Sequence, residues 1–96
     1  MTTREHILSK LSQAKPVLAK NYPISSMAIF GSVSRGEDGS GSDVDILVEF
    51  SKPAGMQFIH LAYELERILQ KKVDLVSKNG IKAAYFEEIQ PDLIYV

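Results

Sequence analysis

Apolar residues recur along this chain with two different periods. Ile7, Leu11, Ala14 and Leu18 return at helical spacing and predict one helix with a single apolar stripe. Thr2 followed by Glu5 fits a capping box, which places the helix start near Thr3. Pro16 falls within the stripe, and its missing N–H predicts a kink or the start of a second short helix. Asn21-Tyr22-Pro23 ends the segment, because proline disfavours helical geometry in the residue before it. The continuous apolar run Met27-Ala28-Ile29-Phe30 predicts a buried strand, and Ile46-Leu47-Val48 predicts a second that ends at Glu49-Phe50. From Met56 to Gln70 the period is helical again. Phe58, Leu61, Ala62, Leu65, Ile68 and Leu69 share one face, while Glu64, Arg67 and Gln70 are more exposed. Val73-Asp74-Leu75-Val76 predicts a third strand, and Ile81, Ala84, Tyr85 and Ile89 mark a final short helix stopped by Pro91. Leu93-Ile94-Tyr95-Val96 reads as a tail that completes a sheet edge or docks on a partner. The order α-β-(short α)-β-α-β-α-(β) predicts an α/β fold: a small mixed β-sheet flanked by helices.

Composition narrows the function. The 96 residues predict a single domain spanning 1–96 with one modest core. A net charge of −1 argues against a broad basic face, so a template-directed polymerase and direct nucleic-acid binding are not expected. The chain has no cysteine, which excludes thiolate metal sites and thiol catalysis. With no signal-peptide core and no apolar run near the ~18 residues of a membrane span, a cytoplasmic protein is expected. His6 and His60 lie on predicted helices without a partner ligand at a persuasive spacing and are given no role. Tyr85, Phe86 and Tyr95 read as core or interface residues.

The chemistry concentrates between Phe30 and Glu49. Gly31-Ser32 follows the first strand at once, and glycine there lets the backbone approach a ligand closely. Val33 to Glu37 can form one short helical turn whose free N–H groups, with the Ser32 hydroxyl, suit phosphate oxygens. Arg35 is placed to reach a phosphate or to pair with an acid. After a loop carrying Gly36, Gly39 and Gly41, Ser42-Asp43-Val44-Asp45 enters the second strand. Strand alternation would aim Asp43 and Asp45 the same way, with Cα atoms roughly 6.5 Å apart. Two such carboxylates suit a pair of hard cations such as Mg²⁺. Asp74, inside a third strand with Val73 and Leu75 core-facing, faces either solvent or the same site; three clustered carboxylates repel unless cations neutralise them. The plainer alternative is a hairpin loop of ordinary turn formers. The ordered combination with an acid on a later strand weighs against it.

Gly31-Ser32, Arg35-Gly36 and Ser42-Asp43-x-Asp45 resemble the Gly-Ser…Asp-x-Asp signature of the DNA polymerase β-type nucleotidyltransferase superfamily, and the short form resembles its minimal nucleotidyltransferase (MNT) branch. The likeness extends to Val73-Asp74-Leu75-Val76 and covers about residues 24–96. It implies catalysis by Asp43, Asp45 and Asp74, all three as ligands of two Mg²⁺ ions. It also implies nucleotide binding by Gly31, Ser32, Arg35 and Ser42, with ATP as substrate. The family further implies a partner, a HEPN-domain toxin, with this chain as its antitoxin in a hetero-oligomer. AMP would pass from ATP to a hydroxyl of the toxin, a tyrosine in some members. The competing expectation is an antitoxin that neutralises its partner by binding alone.

Overall fold

The computed structural model describes residues 2–37 and 43–96. Helix α1 spans Thr3–Asn21, strand β1 Ile24–Phe30, helix α2 Gly31–Arg35 and strand β2 Val44–Phe50. Helix α3 spans Gln57–Leu69, strand β3 Val73–Ser77, helix α4 Ala83–Ile89 and strand β4 Ile94–Tyr95. The expected element order is present throughout.

The sheet is mixed, in the order β3-β2-β1-β4. β1 pairs antiparallel with β2 and with β4, while β2 pairs parallel with β3. The C-terminal tail thus completes the sheet edge. It is fastened further by the Val96 N–H, which donates to the Met27 carbonyl at 3.0 Å. The Lys15 ammonium donates to the Val96 carbonyl at 2.6 Å.

Alternation along the strands divides the chain into two layers. Met27, Ile29, Val44, Ile46 and Val48 face α1 and α3, and with Ile7, Leu11, Leu18, Leu61, Leu65 and Leu69 they form the main core. Phe30, Leu47 and Ile89 form a smaller cluster on the opposite face, where α4 packs. Because Leu65 is fully buried, Leu65→Ala should cost about 2–5 kcal/mol of stability, as lost transfer energy plus a cavity. Urea unfolding checks this, with an unchanged slope expected.

Three boundaries differ from expectation. The Thr2 hydroxyl does cap α1, accepting from the Glu5 N–H at 3.1 Å, but α1 runs through Pro16 as one helix. Pro16 is exposed, so water can satisfy the carbonyl that proline leaves unbonded. β1 begins at Ile24, three residues before the apolar run, because Ile24 and Ser26 pair with Phe50 and Glu49 at the neighbouring strand's end, and the Ser25 hydroxyl between them donates to the Glu49 carbonyl at 3.1 Å. Helix α2 starts at Gly31 itself. No helix among the described residues is long and apolar enough to cross a membrane.

Candidate active site

The site lies where β1 gives way to α2, against the start of β2. Gly31 sits in the left-handed region at φ 76°. A Cβ there would overlap Asp45 Oδ2 and stand 3.1 Å from its Cγ. Glycine is therefore required twice: for the backbone angle, and for the closeness of a carboxylate to the leading turn of α2. Among the described residues no side chain caps that turn, which leaves its leading N–H groups to an anion. Ser32 is the next residue and is half-buried. Gly36, also left-handed at φ 72°, ends the helix, with its N–H donating back to the Val33 carbonyl at 3.1 Å.

The sheet register sets the acids. Phe30 lies opposite Asp45, and Asp45 lies opposite Asp74. The three side chains form a row across the face away from α1 and α3, at strand spacings of about 4.8 Å. Asp45 is half-buried and Asp74 exposed. Burial holds the Asp45 carboxyl above the ordinary aspartate range. Repulsion from Asp74, then from Asp43, adds to this, as does a hydrogen bond with Asp74; the Arg35 charge opposes it.

Asp43 stands at the mouth of the strand. β2 starts at Val44, so Asp43 is an exposed residue just before the strand and acts on Asp45 as a through-space charge. Among the described residues, no three acid or imidazole side chains stand close enough to hold one metal ion together. Asp45 and Asp74 form the close pair. The donor set nevertheless fits a hard cation. It offers carboxylate oxygens alone, and its surplus negative charge already suppresses the ionisation of Asp45.

Arg35 is engaged by acids. Its guanidinium donates to Asp92 at 2.7 Å and to Glu37 at 3.2 Å, and the Ser34 hydroxyl donates to the Asp92 carbonyl. Asp92 thus ties α2 to the C-terminal segment, a role the sequence did not signal. Ser42 lies outside the described residues. His6 and His60 are exposed, as expected. Tyr85, read from sequence as core or interface, stands beside the acids. Its ring meets Phe30 edge-on, with centroids 6.5 Å apart and planes at 85°.

Two clefts flank the fold without sharing this chemistry. One of about 490 Å³, lined by Phe50, Pro53, Ala54, Phe58 and Asn79 among others, opens at the far end of β2 from Asp45. Another of about 460 Å³, lined by Arg4 and Arg35 with Thr2, Thr3 and Gly36, lies at the closing end of α2.

The raised pKa of Asp45 has a sign that stability can report. Its protonated form favours the fold at low pH, and that advantage is lost as pH rises through the raised value. Asp45→Asn should therefore melt at a higher temperature than the parent at neutral pH. The gap should close toward about pH 4, where aspartate protonates in both states. Thermal melts across pH check this.

The chain matches the family described as "Nucleotidyltransferase domain" over residues 11–94. A Methanocaldococcus jannaschii protein provisionally named a protein adenylyltransferase is 41% identical over 100 residues, covering 100% of both chains. Protein adenylyltransferase MntA of Thermococcus cleftensis is 38% identical over 97 residues, covering 100% of this chain and 98% of that protein. A solved structure provisionally described as a minimal nucleotidyltransferase superposes with a TM-score of 0.81 at 28% identity, covering 98% of this chain and 95% of the other. A chain from a complex of a tri-AMPylated Shewanella oneidensis HEPN toxin with an MNT antitoxin shares the fold. Its TM-score is 0.70 at 21% identity, over 93% of this chain and 70% of that one.

Proposed function

This chain belongs to the nucleotidyltransferase domain family, and from that premise we propose that it moves AMP from ATP to a hydroxyl of a partner protein, a tyrosine of a HEPN-domain toxin, and so acts as that toxin's antitoxin. The observation that carries the reading is the fit of Asp45 against Gly31. It sets an acidic pair directly beside an uncapped helix start, so that a phosphate cradle and a cation site share one wall. The support for AMP as the transferred group is full-length similarity to relatives named protein adenylyltransferases. The support for a HEPN partner is the shared fold with a chain of the toxin–antitoxin complex.

The residues divide the work as follows. Gly31 leaves room for the Asp45 carboxylate to close against the turn that would receive the triphosphate. The N–H groups that open α2 and the Ser32 hydroxyl donate to its terminal phosphates. Asp45 and Asp74 would hold Mg²⁺, and the charge of Asp43, which reaches Asp45, would help to draw the cation in. When bound, two Mg²⁺ ions neutralise the triphosphate and favour ionisation of the attacking hydroxyl. Asp74, the exposed member of the pair, would take the proton of the acceptor hydroxyl. Arg35 adds positive charge near the phosphates once they compete with Asp92 and Glu37 for it. Pyrophosphate leaves in line with attack on the α-phosphorus. The reaction belongs to the cytoplasm, where ATP is supplied.

Intact-mass spectrometry of the copurified partner, incubated with this chain, ATP and Mg²⁺, tests the proposal. AMP units gained by the partner, and absent with Asp45→Asn, are the expected result. An unmodified partner that stays inhibited in the complex overturns it in favour of an antitoxin that works by binding alone. Ser32→Ala should raise the KM for ATP about tenfold, the worth of roughly one charge-assisted hydrogen bond, with partner binding unchanged. Calorimetry of partner binding and ATP titrations separate the two.

A further inference from the structure

We propose that Tyr85 is itself an acceptor, so that this chain transfers AMP to its own Tyr85 phenol within one molecule. The inference rests on the reading of the site as an ATP-dependent transferase.

The fold singles out Tyr85 from the chain's four tyrosines. Tyr22 is packed against the main core. Tyr63 lies on α3, across the sheet from the acids. Tyr95 lies in β4, at the sheet edge opposite β3. Tyr85 alone joins the acidic row, since its ring stands on Phe30, Phe30 lies opposite Asp45, and Asp45 lies opposite Asp74. Tyr85 is 39% exposed, so among the described residues it is open to a nucleotide that comes alongside. Charge gives the same placement independently. Partial burial, then Asp74, Asp45 and Glu88, raises the pKa of the phenol, so the fields of both site carboxylates reach its oxygen.

The same neighbours supply what the step needs. An attacking phenol must give up its proton, and Asp74 is an exposed carboxylate on the face of the sheet that carries Phe30. Tyr85 Oη attacks the α-phosphorus of ATP. The bond from that phosphorus to the oxygen bridging toward the β-phosphate breaks, and pyrophosphate departs with the electron pair. The phenolic proton passes to the Asp74 carboxylate and on to water. The product is a tyrosyl-AMP diester, with no oxidant or reductant involved. An AMP fixed on α4 would stand in the entrance that a partner's hydroxyl must use, so self-modification lowers transfer to the partner.

The test uses the full chain alone with ATP and Mg²⁺. Intact mass should show a gain of one AMP, peptide mapping should place it on Tyr85, and Tyr85→Phe should reduce it to the level of the Asp45→Asn control. The phenylalanine keeps the ring contact with Phe30, and equal melting temperatures confirm the fold. The first-order rate constant should be unchanged on tenfold dilution. Labelling that persists in Tyr85→Phe, maps elsewhere or slows in proportion to dilution overturns the proposal. So does an unlabelled chain under conditions where the partner gains AMP, which leaves the transferase reading standing. If neither protein gains AMP, both fall.

Discussion

Asp45→Asn is expected to lower AMP transfer by at least about 100- to 1,000-fold, the scale of removing one group that acts on transition-state charge. Asparagine keeps the shape against Gly31 and removes the charge. The loss should therefore fall on kcat, with the fold intact and the melting temperature at neutral pH raised. The combination is diagnostic. A residue that served only the fold would lose both stability and activity on substitution. One that stores repulsion for a cation or substrate gains stability as it loses function. Transfer rates and thermal melts on the same preparation check it, and wild-type rates in Asp45→Asn would overturn the assignment of the acidic pair.

Gly31→Ala should be the most damaging small change in the chain. The left-handed backbone costs a residue with a Cβ about 1–2 kcal/mol. The added carbon also overlaps Asp45 Oδ2 and crowds the Cγ and Cβ of the same side chain, so the whole carboxylate must shift. A total loss of about 2–4 kcal/mol is expected, with transfer falling below detection because the carboxylate is pushed away from the cradle. Gly36→Ala is the control. Its φ is nearly the same, but among the described residues a Cβ there would meet only Arg4, at 4.0 Å. It should share the backbone penalty and keep far more activity. Equal activity losses in the two variants would mean that strain alone, and not the contact with Asp45, explains Gly31.

Local pattern carried much of this site. Gly31 and Asp74 drew attention because a glycine leaving a strand and an acid within an apolar strand each contradict local preference, and Asp45 through its spacing from Asp43 and the family signature. The helices were legible from their stripes for the same reason that they pack: Leu61, Leu65 and Leu69 recur on one face and meet the sheet. Asp43 falls one residue before β2, a boundary that no local pattern sets so finely. The hold of Asp92 on Arg35 spans 57 residues, and no local pattern encodes a contact that distant. Tyr85 escaped for a related reason. Its position on α4 is ordinary, and only the packing of α4 onto the face that carries Asp45 gives it a neighbourhood.

The position of Asp74 on β3 has a consequence for how the protein behaves in solution. β3 is the outer strand of the sheet, paired with β2 on one side. Its five residues Val73–Ser77 carry a single formal charge, that of Asp74. An open edge with a buried-type sequence invites a second copy to add its own strand, and an edge charge is what discourages this. The carboxylate that serves chemistry therefore also guards against self-association. Asp74→Asn should be run on a sizing column before its inactivity is read as lost catalysis, since dimers or larger assemblies joined edge to edge would hide the site by another route.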